Sequence, residues 1–256
     1  MRMKKKYKLI IAFDGSSFHG WQKQKNTTLT IQGLVEKALS EIFKEKIYTQ
    51  GSGRTDAKVH SINHHVVFEA PFSIETQNLV RALNSHLPKT IRCYSVDSLE
   101  NDLIATSDAK YRRYQYLFST EEIATPFQEK LMTHIPYPLD IEKMRQASEL
   151  FVGAHDFRCF MTQGSDPKST KREVFSSRIT ECSETFHGLF PEHYLFEIEA
   201  TGFLKQMVRL IFGALVEVGK GRLELERIQQ ALKNPNGEHI APCAPPEGLY
   251  KAFVKY

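Results

Sequence analysis

The stretch Gly51-Ser52-Gly53-Arg54-Thr55-Asp56-Ala57-Lys58-Val59-His60 sets a carboxylate among cations, with an imidazole close behind it. Its glycines let a backbone approach a ligand closely, and loops on rigid scaffolds carry much of protein chemistry. A guanidinium two residues away favours an ionised Asp56, and an ionised carboxylate serves as nucleophile or counter-charge. The commoner role of an Asp in a Gly-rich loop is to cap a turn, and spacing alone favours that role.

Two further segments bear on the choice. In Tyr111-Arg112-Arg113-Tyr114-Gln115-Tyr116, strand alternation puts Tyr114 and Tyr116 on one face and Arg113 and Gln115 on the other. Tyrosine on a sheet face stacks on an unpaired base, and arginines hold phosphates; an ordinary core strand with solvated arginines is nearly as good a reading. Phe203 to Gly213 is almost too apolar for Arg209, which falls on or near the packed side of a helix. A buried arginine requires a partner, and the alternatives are a structural salt bridge or a catalytic aspartate. His60, His64 and His65 suggest a metal by their spacing, but they run into Val66-Val67-Phe68, a strand pattern, and no compact set of carboxylates or cysteines completes a site. Phosphate-binding glycine loops, nucleophile elbows and zinc-deaminase motifs are absent, so neither a metal nor a nucleotide cofactor is indicated.

The elements that must position these residues follow from periodicity. Lys8 to Phe13 reads as a strand ending at Asp14-Gly15. Ile31, Leu34, Val35, Ala38, Leu39, Ile42 and Phe43 define an amphipathic helix. Val66 to Phe68 is a strand; Ser73 is expected to cap a helix bearing Ile74, Leu79, Val80 and Leu83; Ile91 to Val96 is a strand. Then come a strand over Tyr111 to Phe118, a helix opened by Asp140 that carries Met144, Ala147 and Phe151, and a polar loop from Gln163 to Arg172. Strands near 177–180 and 194–199 precede a helix from about Phe203 to Val218, stopped by Gly219 and Gly221. A short helix around Leu225–Leu232 and a strand over Leu249–Tyr256 close the chain. The order suits split βαβ or ferredoxin-like sheets with helices on one face. The repeated rhythm predicts two α+β subdomains, 1–104 and 105–256, with a cleft between them as ligand site.

Composition bounds the rest. The chain has 256 residues, 41% hydrophobic and 25% charged, which is enough to bury a full core. Its net charge of +4 permits a nucleic-acid partner without arguing for one. Four scattered cysteines suggest reduced thiols. No apolar run reaches membrane-spanning length, and the Met1 to Lys6 segment lacks a signal peptide's apolar core, so a cytoplasmic protein with no membrane partner is expected.

With these residues in view, the chain resembles the TruA family of tRNA pseudouridine synthases. Phe13-Asp14-Gly15 through Gly20-Trp21-Gln22-Lys23-Gln24 is similar to the family's opening motif, and Ile31-Gln32 to its first helix start. Gly53-Arg54-Thr55-Asp56-Ala57 matches its catalytic loop, and Arg112-Arg113-Tyr114-Gln115-Tyr116 its R-R-Y-x-Y strand. Phe203-Leu204 with Met207-Val208-Arg209 fits the F-x-x-x-M-V-R helix, and Glu217-Val218-Gly219 and Glu247-Gly248-Leu249-Tyr250 complete the series. The resemblance implies the pseudouridine synthase fold: two α+β subdomains around a central, mainly antiparallel sheet with flanking helices, and an active-site cleft between them. It implies a homodimer that isomerises uridine in the anticodon arm of tRNA, at positions 38–40 of the tRNA, with no cofactor or metal. It makes Asp56 the catalytic carboxylate, Tyr114 the residue stacking on the target uracil, and Arg209 the partner of Asp56. Arg54 would stand beside the site and Leu249 would line the pocket. Lys58 departs from a family position that is usually Gly, the segment Leu103 to Ala109 from a usual F-H-A-R-F-S-A, Lys205-Gln206 from a frequent His-His and Leu210 from a usual Asn.

The base must leave its stem-loop, and phosphate contacts offset the unstacking. Lys58, Arg112, Arg113, Lys205, Lys220 and Arg222 are the candidates, solubility being the alternative role of each. Two other readings compete with the isomerase: a non-catalytic tRNA-binding or chaperone protein of the same fold, and a glycosidase, which would need a second carboxylate.

Overall fold

A computed structural model describes residues 4–100, 104–105, 108–182, 190 and 192–256. Met1 to Met3, and Leu103, Thr106 and Ser107 of the variant segment, lie outside the described residues. The chain forms two compact units, one of Met1–Lys110 with Tyr250–Tyr256, the other of Tyr111–Leu249.

The first unit begins with β1 (Lys5–Phe13), whose alternation buries Tyr7, Leu9, Ile11 and Phe13. Helix α1 (Ile31–Phe43) starts where the Thr30 hydroxyl accepts from Gly33 N, and it buries Ile31, Val35, Leu39 and Phe43. The short β2 (Thr49–Gly51) precedes β3 (His60–Ala70), α2 (Thr76–His86) and β4 (Ile91–Leu99). β1 lies antiparallel between β3 and β4. On its other side β3 has two neighbours in succession: β2 along its second half, with Gly51 opposite Val66, and β10 (Leu249–Lys255) along its first residues. β10 runs parallel to β3, with Tyr250 opposite His60 and Lys251 opposite Ser61. Both helices pack in one apolar cluster with β1.

Ser73 does not cap α2. The Glu75 carboxylate does so, accepting from Gln77 N and Asn78 N, while Ser73 Oγ lies 3.3 Å from the Tyr7 hydroxyl. A nearby strand therefore takes the serine, and the next acceptor along the chain takes the helix end.

In the second unit, β5 (Tyr111–Ser119) pairs antiparallel with β9 (His193–Ala200), β9 with β8 (Lys171–Cys182), and β8 with β7 (Gly153–Asp156). The two-residue β6 (Thr133–His134) runs parallel to β5. Asp140 caps α3 (Ile141–Glu149) by accepting from Lys143 N; the helix ends two residues before Phe151, which is nonetheless buried. Helix α4 (Met207–Gly219) starts later than its apolar pattern predicts. Gln206 has φ +62 and Met207 N–H donates to Leu204 O, so Lys205 and Gln206 form a turn ahead of the helix. That turn is held by Thr162, whose N–H donates to Lys205 O and whose hydroxyl donates to Gln206 Oε1. Gly221, with φ +68, follows the end of α4, and α5 (Leu225–Lys233) follows it. Among the described residues no helix is long and apolar enough to cross a membrane.

Candidate active site

The Asp56 loop leaves the first unit's sheet at Gly51 and returns at His60. Between these points it is laced to the segment that follows β1. Trp21 N–H donates to Thr55 O (3.2 Å), Lys58 N–H to Phe18 O (3.1 Å) and Gly15 N–H to His60 Nδ1 (3.1 Å). The approach is so close that a Cβ on Gly15 would stand 2.0 Å from Val59 O, and one on Gly20, at φ +90, 2.5 Å from Thr55 O. Only glycine fits at either position. The same segment is tied to the start of α1, since Gln32 N–H donates to Trp21 O and its side-chain oxygen accepts from Lys23 N. The opening motif therefore forms the wall on which the loop rests.

Within the loop, Thr55 and Val59 are buried and Asp56 is half-buried, whereas Arg54, Ala57 and Lys58 are exposed. Val59 N–H donates to Asp56 O at 3.3 Å, closing a turn. Lys58 holds φ +65, the left-handed conformation that glycine adopts at least cost. A glycine at this position would avoid the strain that the lysine accepts.

The three histidines of β3 each have structural neighbours. His60 stacks on Tyr250 (4.7 Å between centroids) and lies 3.3 Å from Asp14. His64 stands 4.1 Å from the Trp21 ring; burial first, then the nearby Lys251 charge, pushes its pKa well below the usual value. His65 bonds Asn63 through Nε2 and stacks on Tyr256; burial pulls it down to about 4.

In the second unit β5 carries the aromatic face. Tyr114, Tyr116 and Phe118 are buried, as alternation predicts, and Arg113 and Gln115 point the other way toward carboxylates. Tyr114 packs edge-on against Phe203 at 4.9 Å. Tyr116 is a core residue: it stacks on Phe212 at 4.0 Å and its hydroxyl donates to Pro245 O. Arg113 pairs with Glu199 and lies 3.7 Å from Glu197, so a phosphate there would compete with two carboxylates. Arg112 donates to Thr201 O, and its charge, after burial, lowers the pKa of nearby Arg172.

Arg209 is half-buried on α4 and its Nε donates to Ala244 O at 2.7 Å. Ala244 N–H donates back to Arg209 O. Leu249 is buried just after Gly248, whose carbonyl accepts from Leu117 N on β5. Lys205 is exposed, while Lys220 and Arg222 both lean on Glu217, at 3.2 and 4.0 Å.

Sequence reading missed Lys251, a fully buried lysine whose Nζ lies 2.5 Å from Ser52 Oγ. A signal was available: strand periodicity puts Lys251 on the same face of its strand as the buried Leu249. Among the described residues no group of three or more His, Cys, Asp or Glu side chains is placed to hold a metal.

By its elements and sheet topology the chain falls in the α+β class. The family model described as tRNA pseudouridine synthase matches residues 9–103 and 147–256. The tRNA pseudouridine synthase A of Methylacidiphilum infernorum is 37% identical over 251 residues, covering 98% of this chain and 95% of that one. Those of Thermoanaerobacter sp. and Thermosipho melanesiensis are 35% and 38% identical, covering 97% and 96% of this chain and 98% and 97% of theirs. The chain belongs to the tRNA pseudouridine synthase family, of the type of these A enzymes.

Proposed function

We propose that the protein isomerises uridine to pseudouridine in the anticodon arm of tRNA, with Asp56 as the catalytic carboxylate. The observation that carries this reading is the Asp56 loop: its backbone is fixed by two hydrogen bonds to the preceding wall, a third ties the His60 ring at its end to Gly15, and its Arg54, Ala57 and Lys58 edge faces solvent. A rigid mount with an open edge is what a catalytic group needs to meet a large substrate in one geometry.

The reaction breaks the C1′–N1 bond, turns the uracil, and forms C1′–C5. The C5 proton is lost and N1 ends protonated. A carboxylate at the anomeric carbon serves this as nucleophile or as counter-charge to the developing cation. In the proposed roles Arg209 is the partner that orients Asp56, and Tyr114 stacks on the turning base. Leu249 contributes an apolar wall that keeps water from the detached uracil. The Nε bond of Arg209 to Ala244 O supports its role, because it fixes the guanidinium plane. Arg54, Lys58 and Arg112 are proposed to contact RNA; Arg113 would do so only by giving up its carboxylates. A homodimer working in the cytoplasm, without cofactor or metal, completes the proposal.

Release of tritium from C5-labelled uridine in tRNA tests it. Wild-type protein should release label, and Asp56→Ala should lower the rate by at least ~1,000-fold with tRNA affinity within about threefold. No release by the wild type would overturn the reaction; full activity in Asp56→Ala would overturn the site. Tyr114→Phe should outperform Tyr114→Leu if the ring acts by stacking.

A further inference from the structure

Lys251 is a charged residue with no exposed surface, in a strand where a leucine or methionine would fill the same space without the cost of burying an ammonium. What it holds explains why a charge is there. Its Nζ donates to Ser52 Oγ at 2.5 Å and faces His64 Nδ1 at 3.5 Å. Ser52 is the first residue after β2, and it is itself fully buried. Its hydroxyl also accepts from His65 N, and its own N–H donates to His65 O. The position of a Cβ on Gly53 lies 3.6 Å from the same Nζ, so the ammonium sits directly against the start of the Asp56 loop. Because Ser52 is sealed from solvent, the pair is not a nucleophile and its base.

The other end of the loop meets the same strand. Tyr250 stacks on His60, and the Ser61 hydroxyl donates to Lys251 O at 2.8 Å. Two adjacent residues of β10 thus grip both ends of the segment in which Asp56 stands. β10 occupies the place beside β3 that β2 vacates at Gly51, so the loop leaves the sheet where a strand distant in sequence enters. Neutral His64 fits this arrangement, since only an unprotonated Nδ1 accepts from an ammonium.

We propose that Lys251 is a positioning residue for the isomerisation: its buried ammonium clamps Ser52 and so fixes the backbone of residues 52–60, holding Asp56 in one orientation. This rests on the reading of Asp56 as the catalytic carboxylate. In this role Lys251 acts through the loop, by its bond to Ser52.

Lys251→Met keeps the length of the side chain and removes the charge. In the full-length protein it should lower kcat for tRNA by ~10–100-fold, the scale of a small misplacement of a reacting group, with KM within about twofold. Amide hydrogen exchange should accelerate at residues 52–60 and stay unchanged at α4 and α5, a pattern that general destabilisation would not produce. Ser52→Ala removes the acceptor and should have the same two effects more weakly. The double variant should be no worse than Lys251→Met, because both act on one link. A folded Lys251→Met protein with wild-type kcat and wild-type exchange at 52–60 would overturn the proposal, as would additive losses in the double variant. Should Lys251→Met fail to fold, Ser52→Ala decides: wild-type kcat there overturns it equally. If the wild type releases no tritium, the reading of Asp56 fails, and the exchange pattern still tells whether the clamp exists.

Discussion

Lys58 shows how much one backbone angle matters. Its φ of +65 costs an L-residue roughly 1–2 kcal/mol, and glycine avoids most of that cost while losing some unfolded-state entropy. Lys58→Gly should therefore raise stability, by up to ~1 kcal/mol, in a chemical denaturation measurement. The same change removes an exposed cation from the edge of the Asp56 loop. If that cation meets a tRNA phosphate, the slope of log affinity against log salt should fall by about one. An unchanged slope would show that Lys58 makes no such contact. The motif was legible at these positions, but the need for glycine at 15 and 20 was not. It arises from the carbonyls of Val59 and Thr55, which reach those sites only in the folded unit.

Helix α4 shows the same division at the scale of an element. Its apolar pattern runs from Phe203, and the pattern overruns the helix because Thr162, from a distant loop, holds Lys205 and Gln206 in a turn. Periodicity reports burial, and burial continues through a turn that packs like a helix. Gly213 lies on the same helix where the chain at Pro242 crosses; a Cβ there would fall 1.9 Å from Pro242 O. Gly213→Ala is expected to push residues 242–244 away and cost about 1–3 kcal/mol, seen as a lower melting temperature. Because Ala244 O holds Arg209 Nε, kcat should fall as well, by roughly tenfold or more. A variant melting as the wild type does, with unchanged kcat, would show that the crossing relaxes freely. The α2 cap teaches a similar lesson, since Ser73 and Glu75 are both plausible acceptors by type. Tyr7, on a strand far back in the chain, settles the matter by engaging Ser73.

Across the whole molecule, two buried histidines set the response to acid. His64 and His65 have pKa values below the ordinary 6.5, mainly through burial, with His65 at about 4. Unfolding returns them to near 6.5, so between pH 6.5 and 4 the unfolded chain binds protons that the folded chain refuses. Stability should therefore fall as the pH drops through this window, by at most about 1.4 kcal/mol per pH unit for each histidine, and by less for His65, which is the less buried. His65→Asn should flatten the dependence of the melting temperature on pH between 7 and 4.5. An equally steep curve in that variant would refute the assignment.

The sequence by itself determined the order and type of most elements, the α+β class, and the motifs that mark the family. These are local properties, written in side-chain spacing and in glycine, proline and capping residues. Tertiary structure alone decided which distant segments meet: β10 beside β3, Ala244 against Arg209, and a lysine beneath Ser52, 199 positions earlier in the chain. Local periodicity reports which side of a strand is buried and carries no information about what lies against it. For Lys251 the pattern gave the buried side of the strand, and only the folded chain supplied Ser52, whose hydroxyl accepts its hydrogen bond.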